Sequence, residues 1–189
     1  RDDRTSRGLG DVYKRQMVEL GLDPADAAAA EGWMSHRNNV PEWRDLLEQG
    51  LIADTIEVSG TWSQIDAIYE DVVAALKTVP DCVNASAHSS HVYRSGINLY
   101  FTFACMPEDA SAMDARYLES WDRALTSTAS AGGGIAHHHG AGRLRRDYLR
   151  HDLGENGLAL LRKLKQAIDP QGLLNPRNLL PPEAPDEST

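Results

Sequence analysis

The stretch from Gly96 to Cys105 constrains the fold of this chain more than any other part of its sequence. Apolar and polar side chains alternate along it, and this period of two predicts a β-strand with one face against a core. The apolar row holds Ile97, Leu99, Phe101, Phe103 and Cys105, and the other row holds Asn98, Tyr100, Thr102 and Ala104. We therefore expect Tyr100 to point away from the core, toward a polar surface or cavity.

Other periodic segments predict two more strands and several helices. Strands are expected at residues 54–59, with Ile56 and Val58 on one face and Thr55 and Glu57 on the other, and at residues 82–91. The pattern from Thr61 to Gln64 is a capping box that opens a helix ending before Pro80. Further helices are expected at 23–34, with Asp23 as N-cap and Pro24 in the first turn, and at 43–49, 109–128, 144–153 and 158–168.

The order of these elements predicts an α+β fold. Strands and helices alternate as strand, helix, strand, strand, helix, strand, which indicates an antiparallel β-sheet covered by helices on one face. This arrangement is close to a ferredoxin-like plait and is followed by C-terminal helices.

The two ends of the chain differ from its middle. Residues 1–16 are polar, begin with Arg and show no helical or strand period, and residues 11–16 look like a translated adapter. We expect residues 1–16 to be a non-native or disordered leader, residues 17–180 one domain and residues 181–189 a disordered tail. On this interpretation, the natural N-terminal part of the protein is missing.

Charge and cysteine content exclude some classes of protein. The formal net charge of −9 argues against nonspecific binding to nucleic acids. Residues 137–180 hold eight Lys or Arg against four Asp or Glu, whereas residues 17–136 hold six against eighteen. The basic segment suits an anionic substrate or cofactor, or is the solvated face of a helix. The two cysteines, Cys82 and Cys105, favour a reducing, intracellular location over a disulfide scaffold.

Three adjacent histidines, His137 to His139, lie between glycines in the segment 134–142. Histidine changes charge near neutral pH, shuttles protons and binds metals, and glycine lets the backbone bend sharply or approach a ligand closely. This combination predicts a reaction centre, and a solvated polar turn is the alternative. An affinity tag would lie at a terminus and would be longer.

Several segments together carry a resemblance to a known family. The segments are 43–47 (WRDLL), 54–59 (DTIEVS) with Trp62, 90–93 (SHVY), 99–103 (LYFTF), 137–142 (HHHGAG) with Leu144 and Arg145, and 169–180 (DPQGLLNPRNLL). In number, order and spacing they resemble the C-terminal domain of FAD-linked oxidases of the vanillyl-alcohol-oxidase type, closest to the alkyldihydroxyacetonephosphate synthase branch. The resemblance covers nearly everything from about Glu31 to Leu180.

The resemblance implies FAD as cofactor and an exchange reaction. Enzymes of that branch replace the fatty acyl group of acyl-dihydroxyacetone phosphate by a fatty alcohol, forming an ether lipid precursor without net redox change. By resemblance, Tyr100 is the catalytic acid or base. His138 and His139 match essential histidines of the branch and would handle protons or developing charge.

The resemblance also implies residues that contact substrate and cofactor. Arg44 matches an active-site arginine, whose guanidinium suits an anionic group, and Thr55 stands where the branch has a hydroxyl residue. His137 is assigned to the substrate. The segment 169–178 reaches the flavin in some members, so Asn175 and Asn178 join His138 as expected FAD contacts.

Ordinary structural roles remain open for several of these residues. Arg44 could pair with a nearby carboxylate, and Tyr100 could be an ordinary strand aromatic. His91 fits a supporting or structural role better than a catalytic one. The segment 169–178 could simply be a helix stop followed by a turn.

A second branch of the superfamily gives a competing interpretation. These are 2-hydroxyacid dehydrogenases resembling D-lactate dehydrogenase, and several of them bind a divalent metal through a histidine pair and a Glu-His pair. Here His91 and His139 could match two ligands, but Tyr100 stands at the second histidine position and His138 replaces the glutamate. Because a phenol is a poor ligand for Zn²⁺ or Mn²⁺, we expect no metal.

A third interpretation is that the chain is an inactive cap domain without the main FAD-binding half, since no Gly-rich phosphate-binding motif occurs in it. The expected partners are a lipid or otherwise anionic small molecule, the missing FAD-binding domain and a second copy in a homodimer. No run approaches the ~20 apolar residues of a membrane span. We expect a cytoplasmic protein, peripheral at the membrane if its substrate is a lipid.

Overall fold

A computed structural model describes residues 12, 14–23 and 26–181 and divides the chain into two compact units, Arg1–Glu42 and Trp43–Thr189. In the described part of the first unit, residues 14–19 are helical and helix α1 spans Ala27–His36. The Asp26 carboxylate caps this helix by accepting a hydrogen bond from the backbone N–H of Ala28. The predicted N-cap, Asp23, is therefore wrong because a second aspartate lies next to the first turn. Pro24 lies outside the described residues.

The second unit begins with a short helix and continues into the predicted alternation of strands and helices. Helix α2 spans Trp43–Glu48. The sheet consists of β1 (Ile52–Thr61), β2 (Cys82–His88) and β3 (Gly96–Cys105). Helix α3 (Ile65–Lys77) connects β1 to β2, and a 3₁₀ turn (Ala110–Ala112) leads into α4 (Met113–Ser130). Among the described residues, no helix combines the length and apolarity needed to cross a bilayer.

The three strands form an antiparallel sheet in the order β1-β3-β2. In the ladder, Ile56 and Ala87 lie opposite Phe101, while Glu57 and His88 lie opposite Tyr100. Because directly opposed residues share a face, neighbouring positions along β3 point to different sides of the sheet. The predicted α+β fold, an antiparallel sheet with helices, is confirmed.

One face of the sheet is packed against α3 and α4. The side chains of Ile56, Phe101 and Phe103 are fully buried there, together with Ile68, Val72 and Leu76 of α3 and Leu125 of α4. The spacing of three and four residues along α3 places its apolar side chains on one stripe, as predicted, although Tyr69 of that stripe is exposed. This core fixes the sheet and leaves its other face for polar side chains.

In the described part of the chain, a fourth strand is replaced by a single bridge. A ferredoxin-like plait would place it beside β1, and there Ser59 and Gly134 exchange two backbone hydrogen bonds of 3.1 and 2.8 Å. After Gly134 the backbone leaves the strand direction, so residues 137–139 follow a bend. The segment that would complete the plait carries the three histidines instead.

The C-terminal helices follow the histidines. Helix α5 (Gly142–Arg145) is followed by a 3₁₀ turn (Arg146–Tyr148) and by α6 (Leu149–Ile168). The gap between the helices predicted at 144–153 and 158–168 corresponds to a kink within α6, where Gly154 has φ 64° and ψ 173°. The expected domain limits at residues 16 and 180 stay predictions.

Candidate active site

A buried carboxylate lies at the centre of the polar face of the sheet. Glu57, in the middle of β1, has no solvent exposure, although its neighbours Ile56 and Val58 pack into the core on the opposite face. Burying an ionised carboxylate is costly unless donors surround it. Glu57 therefore identifies a place where several donors must meet, a role that its sequence pattern did not indicate.

Asn98 of β3 is the first of these donors. Its side chain is also fully buried, and its amide nitrogen donates to Glu57 Oε1 at 2.5 Å. Its amide oxygen accepts from the backbone N–H groups of Ser90 and His91 and from the hydroxyl of Ser89. Asn98 thus connects the carboxylate to the loop between β2 and β3.

The three adjacent histidines surround the same carboxylate. His137 Nδ1 lies 3.1 Å from Glu57 Oε1, while His138 Nδ1 and His139 Nε2 lie 3.2 and 3.3 Å from Oε2. The contacts to Oε2 are not aligned as hydrogen bonds, so this buried oxygen has no hydrogen-bond partner among the described residues. We call Glu57, Asn98 and His137 to His139 the histidine cluster.

The cluster keeps Glu57 ionised. Burial by itself raises the pKa of this carboxyl group, but the hydrogen bond from Asn98, the charges of His138 and His139 and the hydrogen bond from His137 outweigh burial. The pKa of Glu57 is consequently below its usual value. At neutral pH a negative charge therefore faces the imidazoles.

The three imidazoles differ in what their second nitrogens contact. His137 Nε2 lies 2.9 Å from the hydroxyl of Tyr93, so both ring nitrogens of His137 are engaged. His138 Nε2 and His139 Nδ1 have no hydrogen-bond partner in the described parts of the chain, and these side chains are 51% and 34% exposed. His138 and His139 are thus the imidazoles that can meet a ligand, whereas His137 is held in place.

Tyr100 lies on the same face, directly opposite Glu57 in the ladder. Its ring meets His139 edge-on with centroids 5.6 Å apart and stacks on His88 at 5.2 Å. Thr55 is two residues before Glu57 on β1 and shares this face, half-buried. The structure therefore brings Tyr100 and all three histidines together and places Thr55 on the same face; their catalytic and binding roles stay predictions.

The backbone before the histidines is anchored at Ile135. Ile135 is fully buried and its N–H donates to Asp152 Oδ1 at 3.1 Å. Arg145, 7% exposed, donates to the carbonyl of Ile135 at 3.1 Å and lies over the ring of Trp121 at 4.7 Å. Burial lowers the pKa of Arg145. This cation of the basic segment therefore supports the backbone and is not available to an anionic ligand.

Gly140 gives the segment its exit from the cluster. Its φ of 72° lies in the left-handed region, which side chains with a Cβ rarely adopt. A glycine directly after His139 thus lets the chain turn away toward α5. The predicted combination of histidine and glycine has this concrete geometric basis.

A cation could also fit beside Glu57. One candidate ligand atom each from Glu57, His91, His137 and His138 lie within 4.8 Å of one another. Imidazole and carboxylate donors at such spacing are compatible with a divalent metal. The expectation that the site functions without a metal stays a prediction.

Three predicted site residues lie elsewhere. Arg44 is exposed on α2, and the described residues provide no hydrogen bond or ion pair between it and the histidine cluster. Asn175 and Asn178 line a groove of about 300 Å³ beside α6 together with Leu161, Leu164 and Leu180, and no residue of the cluster lines it. Their roles in binding substrate and cofactor stay predictions.

Known proteins are similar to this chain in sequence and in fold. The sequence profile of the family described as FAD linked oxidases, C-terminal domain, matches residues 4–179. An uncharacterized FAD-linked oxidoreductase of Escherichia coli K12, YgcU, is 32% identical over 95% of this chain and 39% of its own length. Alkyldihydroxyacetonephosphate synthase of Dictyostelium discoideum is 28% identical over 82% of this chain.

A solved structure of an alkyldihydroxyacetonephosphate synthase superposes on 78% of the chain with a TM-score of 0.50 and 25% identity. The chain spans 24% of that structure, 26% of the Dictyostelium enzyme and 39% of YgcU. It thus corresponds to less than half of each relative.

Proposed function

Because the chain belongs to the family of C-terminal domains of FAD-linked oxidases, we propose that it forms the substrate-facing part of an enzyme of ether-lipid synthesis. FAD is the cofactor of this family, whose members are oxidoreductases or transferases. The proposed reaction exchanges the acyl group of acyl-dihydroxyacetone phosphate for a fatty alcohol. The support for this substrate is the likeness to relatives named alkyldihydroxyacetonephosphate synthase.

One observation carries the proposal: Tyr100 and two exposed imidazoles lie on one sheet face around a buried, ionised carboxylate. An exchange at an ester carbon needs a group that takes and returns a proton, and donors for the departing carboxylate. A phenol next to His139 can serve the first need. The unpartnered nitrogens of His138 and His139 can serve the second.

The donor set also fits the cofactor. A flavin ring carries carbonyl and nitrogen acceptors along its edge, and exposed imidazole N–H groups are suitable donors to them. In our proposal His138 contacts the ring, while Asn175 and Asn178 contact another part of FAD. When bound, FAD supplies an electrophilic ring that activates the substrate carbon.

The chain's own residues handle protons and charge in the proposed exchange. Tyr100 takes a proton from the carbon that bears the ester and later returns one. The bond between this carbon and the ester oxygen breaks, so the fatty acid leaves as a carboxylate that accepts hydrogen bonds from His138 and His139. The alcohol oxygen then bonds to the same carbon and releases its proton to solvent, so no net oxidation or reduction occurs. Arg44 and Thr55 are proposed to hold the substrate beside His137.

The proposal includes partners and location. A second domain of the same protein would hold most of the FAD. The proposed assembly is a homodimer. The enzyme would be cytoplasmic and peripheral at membranes. The 189-residue chain alone is then proposed to be inactive. Flavin absorbance of the purified chain tests this last point, because a yellow protein with stoichiometric FAD would contradict it.

The four candidate metal ligands, Glu57 and three histidines, favour one alternative function, an FAD-dependent dehydrogenase of 2-hydroxy acids. In such an enzyme a divalent metal would grip the hydroxyl and carboxylate of the substrate. The dehydrogenase would transfer electrons from the substrate to an acceptor, whereas the exchange reaction transfers no electrons.

One experiment on the full-length protein distinguishes the two proposed functions. Purified enzyme is offered labelled hexadecanol with acyl-dihydroxyacetone phosphate, and in parallel D-2-hydroxy acids with a reducible dye. We expect label in an ether product and no reduction of the dye. Dye reduction without exchange would instead establish the dehydrogenase.

A further inference from the structure

Tyr93 contacts the histidine cluster from the loop between β2 and β3. Its hydroxyl lies 2.9 Å from His137 Nε2, and the rings are 5.5 Å apart. The loop holds this residue firmly, because Tyr93 N–H donates to the carbonyl of Gly96 at 2.8 Å and Val92 forms a bridge with Ile97. The mechanism proposed above does not use Tyr93.

The contacts of Glu57 Oε1 determine where His137 carries its proton. This oxygen already accepts from the Asn98 amide at 2.5 Å, and the nitrogen that lies 3.1 Å from the same oxygen, His137 Nδ1, is its second donor. In the neutral ring, Nε2 then has a lone pair. The hydroxyl of Tyr93 donates to this lone pair and stabilises the same tautomer.

The proton on His137 determines the proton on His138 in turn. The two Nδ1 atoms are 2.9 Å apart, a distance that requires one donor and one acceptor. Although His138 Nδ1 also lies 3.2 Å from Glu57 Oε2, that oxygen accepts no hydrogen bond from the described residues. The hydrogen on His137 Nδ1 is therefore shared between Glu57 and His138, and His138 Nδ1 is the acceptor. Neutral His138 therefore carries its only proton on Nε2, on the exposed side of the ring.

We propose that Glu57, His137 and Tyr93 form a positioning unit that makes His138 a donor toward the ligand. Glu57 and Tyr93 act through His137 and His138 and touch no substrate themselves. The ligand atom opposite His138 Nε2 is thereby an acceptor, such as the oxygen of a carboxylate or of an enolate. This assignment rests on the proposed function only for the identity of that acceptor.

Nitrogen-15 NMR of the labelled chain tests the tautomers without any assay of activity. Two-bond correlations between ring nitrogens and carbon-bound protons distinguish an Nδ1–H ring from an Nε2–H ring, and single His→Gln variants assign the signals. At a pH of about 8, where ordinary imidazoles are neutral, we expect Nδ1–H for His137 and Nε2–H for His138. The opposite pattern in the wild-type chain would overturn the proposal.

Variants of Tyr93 and Glu57 test the cause of the pattern. Tyr93→Phe should mix the tautomers of His137 and, through it, those of His138. Glu57→Gln should keep His137 in the Nδ1–H form, because Asn98 still donates at the Oε1 position and holds the new amide oxygen there, whereas Glu57→Leu, which offers no acceptor, should mix the tautomers. Tyr69→Phe is the matched control, because Tyr69 on α3 is similarly exposed. Unchanged tautomers in Tyr93→Phe, with the fold intact by circular dichroism, would contradict a role for Tyr93.

Kinetics of the full-length enzyme give an independent readout. Tyr93→Phe should lower kcat about tenfold and leave KM within twofold, because the orientation of a donor is lost and no substrate contact is removed. A rise in KM alone would make Tyr93 a binding residue and overturn the positioning role. If the wild type shows the expected tautomers but no exchange activity, the proposed function fails and the tautomer assignment holds.

Discussion

The two faces of one strand illustrate how this chain separates stability from chemistry. Phe101 and Tyr100 are neighbours on β3, yet Phe101 is fully buried against α3 and α4, whereas Tyr100 lies among imidazoles and a carboxylate. The apolar face gains free energy from burial. The polar face contains a buried charge, which is stable only because donors surround it. Neighbouring positions should therefore respond to mutation in opposite ways.

Phe101→Ala should cause the largest loss of stability. Removing a fully buried ring from a core lowers the free energy of unfolding by about 3–5 kcal/mol. Urea denaturation of the chain, followed by circular dichroism, measures this loss. Thr102→Ala, a neighbouring change on the polar face, is the control and should cost less than about 1 kcal/mol; equal losses would refute the distinction between the faces.

Tyr100→Phe should reduce activity strongly and change stability little. Loss of the hydroxyl should reduce kcat for exchange in the full-length enzyme by about 10²–10⁴-fold, the range typical of a lost acid or base. The free energy of unfolding should change by less than about 1 kcal/mol, because the ring remains. Unchanged turnover would reject Tyr100 as the acid or base, and Tyr69→Phe controls for the loss of a phenol in general.

Glu57→Gln should show that the polar face also contributes to stability. The substitution keeps the shape but removes the charge that orders the imidazoles, so we expect a loss of about 1–3 kcal/mol. Glu70→Gln, an exposed change on α3, should stay within about 0.5 kcal/mol of wild type. Equal stability of both variants would mean that the histidines do not stabilise Glu57.

The smallest expected effect is a dependence on pH. The pKa of Glu57 is lower in the folded state than its ordinary value of 4.5. Its contribution to the free energy of unfolding is therefore complete above pH 4.5. It is lost as the pH falls through the folded-state pKa. The difference in unfolding free energy between wild type and Glu57→Gln should therefore shrink between pH 5 and lower values, and a constant difference would contradict this assignment.

Sequence periodicity predicted the faces of the sheet well. The alternation in β3 gave both its limits and the polar orientation of Tyr100, because a period of two is a local property of the chain. The carboxylate of Glu57 was visible as a charged residue between Ile56 and Val58. Its burial was not predictable, since the cover comes from residues 41 and 80 positions away, Asn98 and His137.

Features that depend on tertiary context were harder to predict. The bridge at Gly134 takes the place of a fourth strand because the segment after Gly134 turns away from β1. No local sequence pattern indicates this turn. The resemblance identified the three histidines but treated His137 as a substrate contact. Two of its hydrogen-bond partners, Glu57 and Tyr93, became apparent only in three dimensions. The assignment of His137 to the substrate stays a prediction.

The single bridge between Ser59 and Gly134 also has a consequence for motion. Residues 137–139 are attached to the sheet by side chains and by one backbone pair upstream, whereas β1 and β3 share a continuous ladder. Segments with few backbone hydrogen bonds open at low free-energy cost while the rest of a domain stays folded. We expect amide hydrogens of the histidine segment to exchange with solvent much faster than those of β3. Local opening of this segment would move the imidazoles without any melting of the sheet beneath them.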